Sequence, residues 1–260
     1  MAESKSELLL NLIKEYITQT LPSVSLDLVI FGFHDGQLKI LLMRLLHTEH
    51  WCLPGGRIYQ EEDLEAAAYR SLQERTGLHE LFLQQFYTFG DVARYRHYTN
   101  REAIAKLGLP DWFTKDVNLI SRDVSVGYYA LVEFTRASPT PDLFADECRW
   151  WNIDEVPTLL FDHNRMIQVA LKTLRRQLSY QPIGYNLLPD KFTMPQLQQL
   201  YETILGQSMD RRNFQKRILS YDILERLEKL QNGKAHKAPY LYRFNMDQYQ
   251  KALEEERFLF

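Results

Sequence analysis

The sequence predicts an α+β chain in two parts: a larger domain of strands around one well-marked helix, then a small domain of two helices and a hairpin. Three observations carry this. Ser25–Phe33 and Gln37–Arg44 are rich in β-branched and apolar residues, and His34-Asp35-Gly36 between them has the composition of a two-strand turn. The stretch Leu53–Leu78, LPGGRIYQEEDLEAAAYRSLQERTGL, sets paired glycines before a helical pattern over Glu62–Arg75, which Gly77 can close in the left-handed conformation. Past Pro182-Ile183-Gly184-Tyr185 the periodicity breaks and the composition turns basic. The expected domains are therefore residues 1–181 and 182–260.

The 260 residues are 45% hydrophobic and 25% charged, as in a soluble globular protein. No apolar run approaches the ~18 residues that span a membrane. The start, MAESKSELLLNLIKEYI, does not follow the order of an export signal, so the expected location is the cytoplasm. Cys52 and Cys148 lack metal-site spacing and read as free thiols. The net charge of −3 hides an asymmetry. Arg211 to Arg243 holds nine Lys/Arg and three acids, a segment of +6. Such a block on an otherwise acidic chain points to a local polyanionic partner.

In chain order, Ser4 to about Thr20 has helical spacing (Leu8, Leu12, Ile13, Tyr16, Ile17) and can pack on its own domain or on a second subunit. Leu81–Gly90 and Ser125–Thr135 read as strands. Between them lies an insertion, 94–122, which opens on the basic-aromatic run Arg94-Tyr95-Arg96-His97-Tyr98. A connection of this length is either a lid over a ligand pocket or a surface insertion. Arg149–Ile153 is expected as an edge strand. Asp162–Leu178 is expected as a helix with Met166, Val169, Ala170, Thr173 and Leu174 on one stripe, and His163 at its start reads as a cap or surface residue.

Beyond the boundary, Met194–Leu205 repeats Leu197, Leu200, Tyr201 and Ile204 and stops at Gly206. Asp210 can cap a second helix to about Ser220 whose apolar face is Phe214, Ile218 and Leu219. Ile223–Lys229 and Tyr240–Phe244 alternate like strands around Asn232-Gly233. The outline is a winged helix-turn-helix. Its second helix would offer Arg211, Arg212, Asn213, Gln215 and Lys216, residue types that read base edges in the major groove of double-stranded DNA. Lys234, His236 and Lys237 would sit at the hairpin tip, within reach of phosphates. The alternative for these charges is a solvated basic face.

The glycine-rich stretch resembles the Nudix signature, with Gly56, Glu62, Arg70, Leu72, Glu74, Gly77 and Leu78 in register. Positions 71, 74 and 75 share a helix face, where Nudix hydrolases use three glutamates to hold divalent cations against a pyrophosphate. Here Ser71 and Arg75 occupy two of the three, and Glu74 is expected to pair with Arg70, four residues earlier. The resemblance implies an α/β/α sandwich with a mixed sheet; the substitutions imply binding without hydrolysis, and no metal or cofactor. With Asn186-Leu187-Leu188-Pro189, Phe192-Thr193, Gln196-Leu197, Leu200-Tyr201 and Asp210-Arg211-Arg212-Asn213-Phe214, the chain resembles the Nudix-related transcriptional regulators, closest to their sugar-responsive, arabinose-regulator branch. That resemblance implies a homodimer on a palindromic operator, released by a small effector: a pentose in a regulator of sugar catabolism, or ADP-ribose in the other branch. The insertion after Arg94 departs from the short turn expected of the family. A rival is an active hydrolase of a nucleoside diphosphate sugar that rebuilds its metal site from Glu61, Glu62 or Asp63; a third is a protein-binding adaptor.

Overall fold

The computed structural model of the chain describes residues 24–46, 48–78, 82–95, 123–141, 145–230 and 238–255. The Ser4–Thr20 helix, residues 96–122 of the insertion, and Lys234, His236 and Lys237 lie outside them.

The first strands are β1 (Val24–His34) and β2 (Gln37–Leu45), antiparallel through Phe31↔Ile40 to His34↔Gln37. Asp35 (φ 49°) and Gly36 (φ 72°) close them with two left-handed residues, the turn whose twist matches the strands. Short strands β3 (Trp51–Cys52) and β4 (Gly55–Arg57) pair with β2 and β1. Helix α1 (Leu64–Thr76) follows, with Asp63 as its N-cap and Gly77 (φ 69°) as its C-cap, two residues shorter at the start than its periodicity suggested. Strands β5 (Phe82–Phe89), β6 (Val124–Glu133) and β7 (Ala145–Asn152) complete a seven-stranded mixed sheet along the order β3-β2-β1-β6-β5, with β4 on β1 and β7 on β2. The β1–β6 pair is parallel. β7 begins four residues before the expected Arg149 because the whole of β2 from Lys39 to Leu45 offers it partners.

Alternation along β1 sorts the core into two layers. Leu26, Leu28 and Ile30 join Val126, Tyr128, Ala130 and Val132 of β6 against Ala67, Ala68 and Leu72 of α1. Val29 and Phe31 point to the other face with Leu38, Ile40 and Leu42. There they meet helix α2 (His163–Tyr180) through Met166, Ile167, Ala170, Leu174 and Leu178. The result is the α/β/α sandwich with a mixed sheet.

The small domain consists of β8 (Phe192–Thr193), α3 (Met194–Leu205), α4 (Arg211–Ser220), β9 (Leu224–Lys229), β10 (Tyr240–Phe244) and α5 (Met246–Glu254), with a sheet ordered β8-β10-β9. Thr193 and Gln196 form a reciprocal capping box at the start of α3, and Gly206 (φ 71°) ends it. This is a winged helix-turn-helix.

The second face of the sandwich does not stop at α2. Leu187, Leu188, Leu197, Leu200, Ile204, Phe214 and Tyr242 belong to the same apolar cluster as Phe31, Ile40 and Leu174. Polar contacts fix the junction. Arg175 Nε of α2 donates to the Ile204 carbonyl at 2.6 Å, and Thr203 Oγ1 donates to the Gly36 carbonyl at 3.1 Å. A Cβ on Gly36 would lie 2.4 Å from Gln199 Nε2, so α3 rests directly on the β1–β2 turn. No helix among the described residues is long and apolar enough to cross a membrane.

All four tryptophans (Trp51, Trp112, Trp150, Trp151) precede residue 182 and so report on the larger domain. Leu200, fully buried in α3, belongs to the shared core. Leu200→Ala is expected to destabilise the protein by about 2–5 kcal/mol. The loss should lower the tryptophan-monitored and the far-ultraviolet unfolding midpoints together, as one transition. Two separated transitions, with the tryptophan signal unmoved, would show the domains to unfold independently.

Candidate functional sites

On α1, Arg70 is committed to Glu62 rather than chiefly to Glu74. Its Nε and Nη2 donate to the two Glu62 oxygens at 2.7 and 2.8 Å, and Nη2 also reaches the Arg57 carbonyl at 3.0 Å. The expected Glu74 contact exists but is longer, 3.5 Å. The guanidinium lies 4.5 Å from the centre of the Tyr59 ring. Hydrogen bonding from Arg70 holds the Glu62 carboxyl below its usual range, and Arg70 is raised in turn by the same bond. Glu62 Oε2 also accepts from the Tyr59 N–H at 3.2 Å. Both Glu62 oxygens therefore have donors, and the carboxylate pins the glycine-rich loop to the helix.

Ser71 and Arg75 both turn inward, 1% and 7% exposed. The Ser71 hydroxyl faces Gly56 so closely that a Cβ there would stand 2.9 Å from Oγ, and it meets no hydrogen-bond partner among the described residues. A hydroxyl and a guanidinium supply neither the charge nor the oxygen set that a hard divalent cation takes. Among the described residues, no group of three or more His, Cys, Asp and Glu is placed to hold a metal. The donors present do not fit the cations of the Nudix hydrolases.

The densest buried electrostatics lie at the start of α2. Asp27, in the middle of apolar β1, accepts from Ser125 Oγ at 2.5 Å and faces Arg94 Nη2 at 3.5 Å and His163 Nε2 at 3.4 Å. Arg94 also donates to Asp162 Oδ1 at 3.0 Å and to the Phe89 carbonyl at 3.0 Å. Arg94 thus belongs to the buried body; the 3-10 turn Val92–Tyr95 delivers it there. Nor is His163 a cap or surface residue. It is 3% exposed, and its Nδ1 accepts the Leu53 N–H at 2.9 Å, which ties α2 to the strand leading into the paired glycines. An Nδ1 that accepts leaves the proton on Nε2, toward Asp27. Burial pushes the His163 pKa down, against the opposing pull of Asp27 and Asp162. A cleft of about 690 Å³ opens beside this cluster, bordered by His50, Asp91, Arg94, Phe161, Asp162 and Arg165 among others.

In the small domain, Asp210 caps α4 by accepting the Asn213 N–H at 2.9 Å. Phe214 and Ile218 are buried, and Phe214 packs edge-on to Tyr201 of α3 with ring centres 5.3 Å apart. That anchoring leaves Arg211, Arg212, Asn213 and Lys216 exposed and Gln215 half-buried. The +6 of the segment overstates the cations available. Arg243 pairs with Glu225 at 2.7 Å, Arg217 Nε donates to Tyr221 Oη at 2.8 Å, and Arg226 stacks 3.4 Å from the Tyr240 ring centre. Arg211, Arg212 and Lys216 make no such internal contact among the described residues. The sequence pattern missed Asp27, Arg94 and Asp162; its one available signal was a carboxylate interrupting the apolar run of β1.

The buried His163 gives a pH test. Its folded-state pKa lies below the ordinary value near 6.5. The unfolded chain therefore binds the extra proton first, and this contribution to stability is full above about 6.5 and lost as the pH falls toward the folded value. The wild type should lose stability relative to His163→Gln between about pH 7 and pH 5, read from denaturant midpoints. Parallel curves would show that His163 does not set the slope.

Comparison with known proteins adds independent support. Residues 24–170 match the NUDIX domain family, and residues 184–244 match the NrtR DNA-binding winged helix domain. The chain is 30% identical over 236 residues to the ADPR responsive transcriptional repressor NtrR of Acinetobacter baylyi, covering 88% of this chain and 84% of that one. Among solved structures, it resembles Shewanella oneidensis NrtR in complex with a 27mer DNA, with TM-score 0.67 and 26% identity over 87% of this chain and 95% of that one. A MutT/nudix family protein from Enterococcus faecalis shares the fold, with TM-score 0.63 at 20% identity and 94% coverage of both chains.

Proposed function

Since the chain belongs to the Nudix family and carries an NrtR-type winged helix behind its Nudix domain, we propose that it is an effector-responsive transcriptional repressor. The observation that carries this reading is α4. A helix fixed by Phe214 and Ile218 presents Arg211, Arg212, Asn213 and Lys216 outward, with no side-chain partner among the described residues. Arg and Asn in the first turns of such a helix match the donor and acceptor edges of the major groove. Gln215 flanks them. Lys234, His236 and Lys237, between the wing strands, are assigned to the neighbouring backbone. Residues 1–181 form the sensing part and 182–260 the reading part. Two copies bind a palindromic operator, since a pair of reading helices about 34 Å apart matches one turn of DNA.

The effector assigned to the Nudix domain is an ADP-ribose-like ligand. The ADPR-responsive relative from Acinetobacter baylyi supports it over the pentose of a sugar-catabolic regulator. The domain binds without hydrolysing, because Ser71 and Arg75 stand where cation ligands are needed and Glu62 is engaged by Arg70.

DNA selected from a random pool supplies the operator for two measurements. If about six basic groups of the dimer meet phosphates, log affinity should fall against log salt with a slope of roughly −5. Arg212→Ala should cost about 1–3 kcal/mol on the selected site and much less on random DNA if Arg212 reads a base. Equal losses would place it on phosphate, and no selected site at all would remove the DNA-reading function. Incubation with magnesium and ADP-ribose should give no AMP; turnover that disappears in Glu74→Gln would establish a hydrolase instead.

A further inference from the structure

The outer face of α2 carries a charge pattern that its packing does not require. From His163 to Tyr180 the helix holds four Lys or Arg and no Asp or Glu. It does so in the part of the chain outside Arg211–Arg243, whose net charge is −9 (−3 minus +6). Arg165, Gln168, Lys172, Arg175 and Arg176 recur at helical spacing and are all exposed. They lie opposite Met166, Ala170 and Leu174, which face the sheet. Cations help a helix in its last turn, but Arg165 sits in the first turn and Lys172 in the middle, so the helix dipole does not account for them. Elsewhere on the same domain, Arg44, Arg57, Arg70 and Arg149 lie 3.0, 3.0, 2.7 and 3.3 Å from a carboxylate. Arg165 reaches Asp91 only at 3.9 Å, and Lys172 and Arg175 have no carboxylate within ion-pair distance among the described residues.

The stripe runs up to the reading domain. Arg175 Nε donates to the Ile204 carbonyl, and its Nη2 stands 3.6 Å from where a Cβ on Gly206 would lie. From Gly206 to Arg211, the first residue of α4, the chain spans at most about 18 Å. Met209 between them is held back onto α3 by Gln198 and Glu202. The 18 residues of α2 extend about 27 Å from this junction. Duplex DNA carries a charge every ~1.7 Å along its axis and makes one turn in about 34 Å. Phosphates beside the stretch seated on α4 therefore fall within the reach of the stripe.

We propose that the outer face of α2, around Lys172 and Arg175, holds the phosphate backbone of DNA flanking the site read by α4, so that the Nudix domain itself adds to operator affinity. The proposal rests on the DNA-reading function above and adds a second contact surface to it. Charge complementarity and continuity with α4 across the Gly206 turn name the occupant. Such contacts supply affinity and orientation without sequence preference.

The test compares two duplexes carrying the selected site, one ending at the site and one extended by a full turn of arbitrary sequence on each side. Binding to the full-length protein is read by fluorescence anisotropy. The wild type should bind the extended duplex about 10-fold more tightly, with a steeper salt dependence. Lys172→Gln should lower the salt slope on the extended duplex by about one for each copy bound, and Lys172→Glu should abolish the gain from the flanks. Both variants should bind the short duplex as the wild type does. Equal wild-type affinity for the two duplexes overturns the proposal. So does an equal loss on both in the variants, which would reduce the stripe to a general field. A flank gain that survives Lys172→Glu overturns the assignment to α2 and leaves reading by α4 intact. Adhesion to vesicles of anionic phospholipid that is lost in Lys172→Glu, with no flank effect on DNA, gives the stripe to a membrane surface instead. If neither duplex is bound, this proposal and the DNA-reading function fall together.

Discussion

The packing of α2 is the constraint on which the rest of the molecule depends. One face of this helix covers the sheet through Met166, Ala170 and Leu174, and its far end meets the helix-turn-helix through Arg175 and the Ile204 carbonyl. Its first residues, Asp162 and His163, close the buried charge cluster. One helix therefore touches the cleft at one end and the reading domain at the other. Interiors packed at native density transmit displacement rather than absorb it.

That geometry changes how effector action is understood within a single chain. Two domains joined only by a linker could rotate against each other. Instead α3 sits on the β1–β2 turn and shares an apolar core with the sheet, so a rotation at this junction would expose Leu197, Leu200 and Ile204. The helix α3 and the sheet are thus packed as one core.

The Nudix helix keeps its place in the fold with Ser71 and Arg75 where the signature has glutamates. The Arg70–Glu62 clamp and the close approach of Gly56 to Ser71 still fix the loop against the helix. A guanidinium at position 75 puts a positive charge where the Nudix signature has a glutamate. The scaffold is a matter of packing and hydrogen bonds, which accommodate these residues.

Local pattern by itself determined the elements of this protein. Alternation along β1, the Asp35-Gly36 turn, the glycine closing α1, the Thr193 capping box and the Asp210 cap are set by residues within a few positions of one another. So was most of the exposed face of α4, because Phe214 and Ile218 recur at helical spacing; Leu219, expected beside them, is exposed instead. Only the tertiary structure decided the rest. Asp27, Arg94, Asp162 and His163 come from four separate segments, and nothing in their spacing announces that they meet. The number of cations left unpaired in the wing region depended on contacts such as Arg226 on Tyr240, which strand register creates. Secondary structure is written in short-range periodicity; burial of charge and the joining of two domains depend on which distant residues fill the same space.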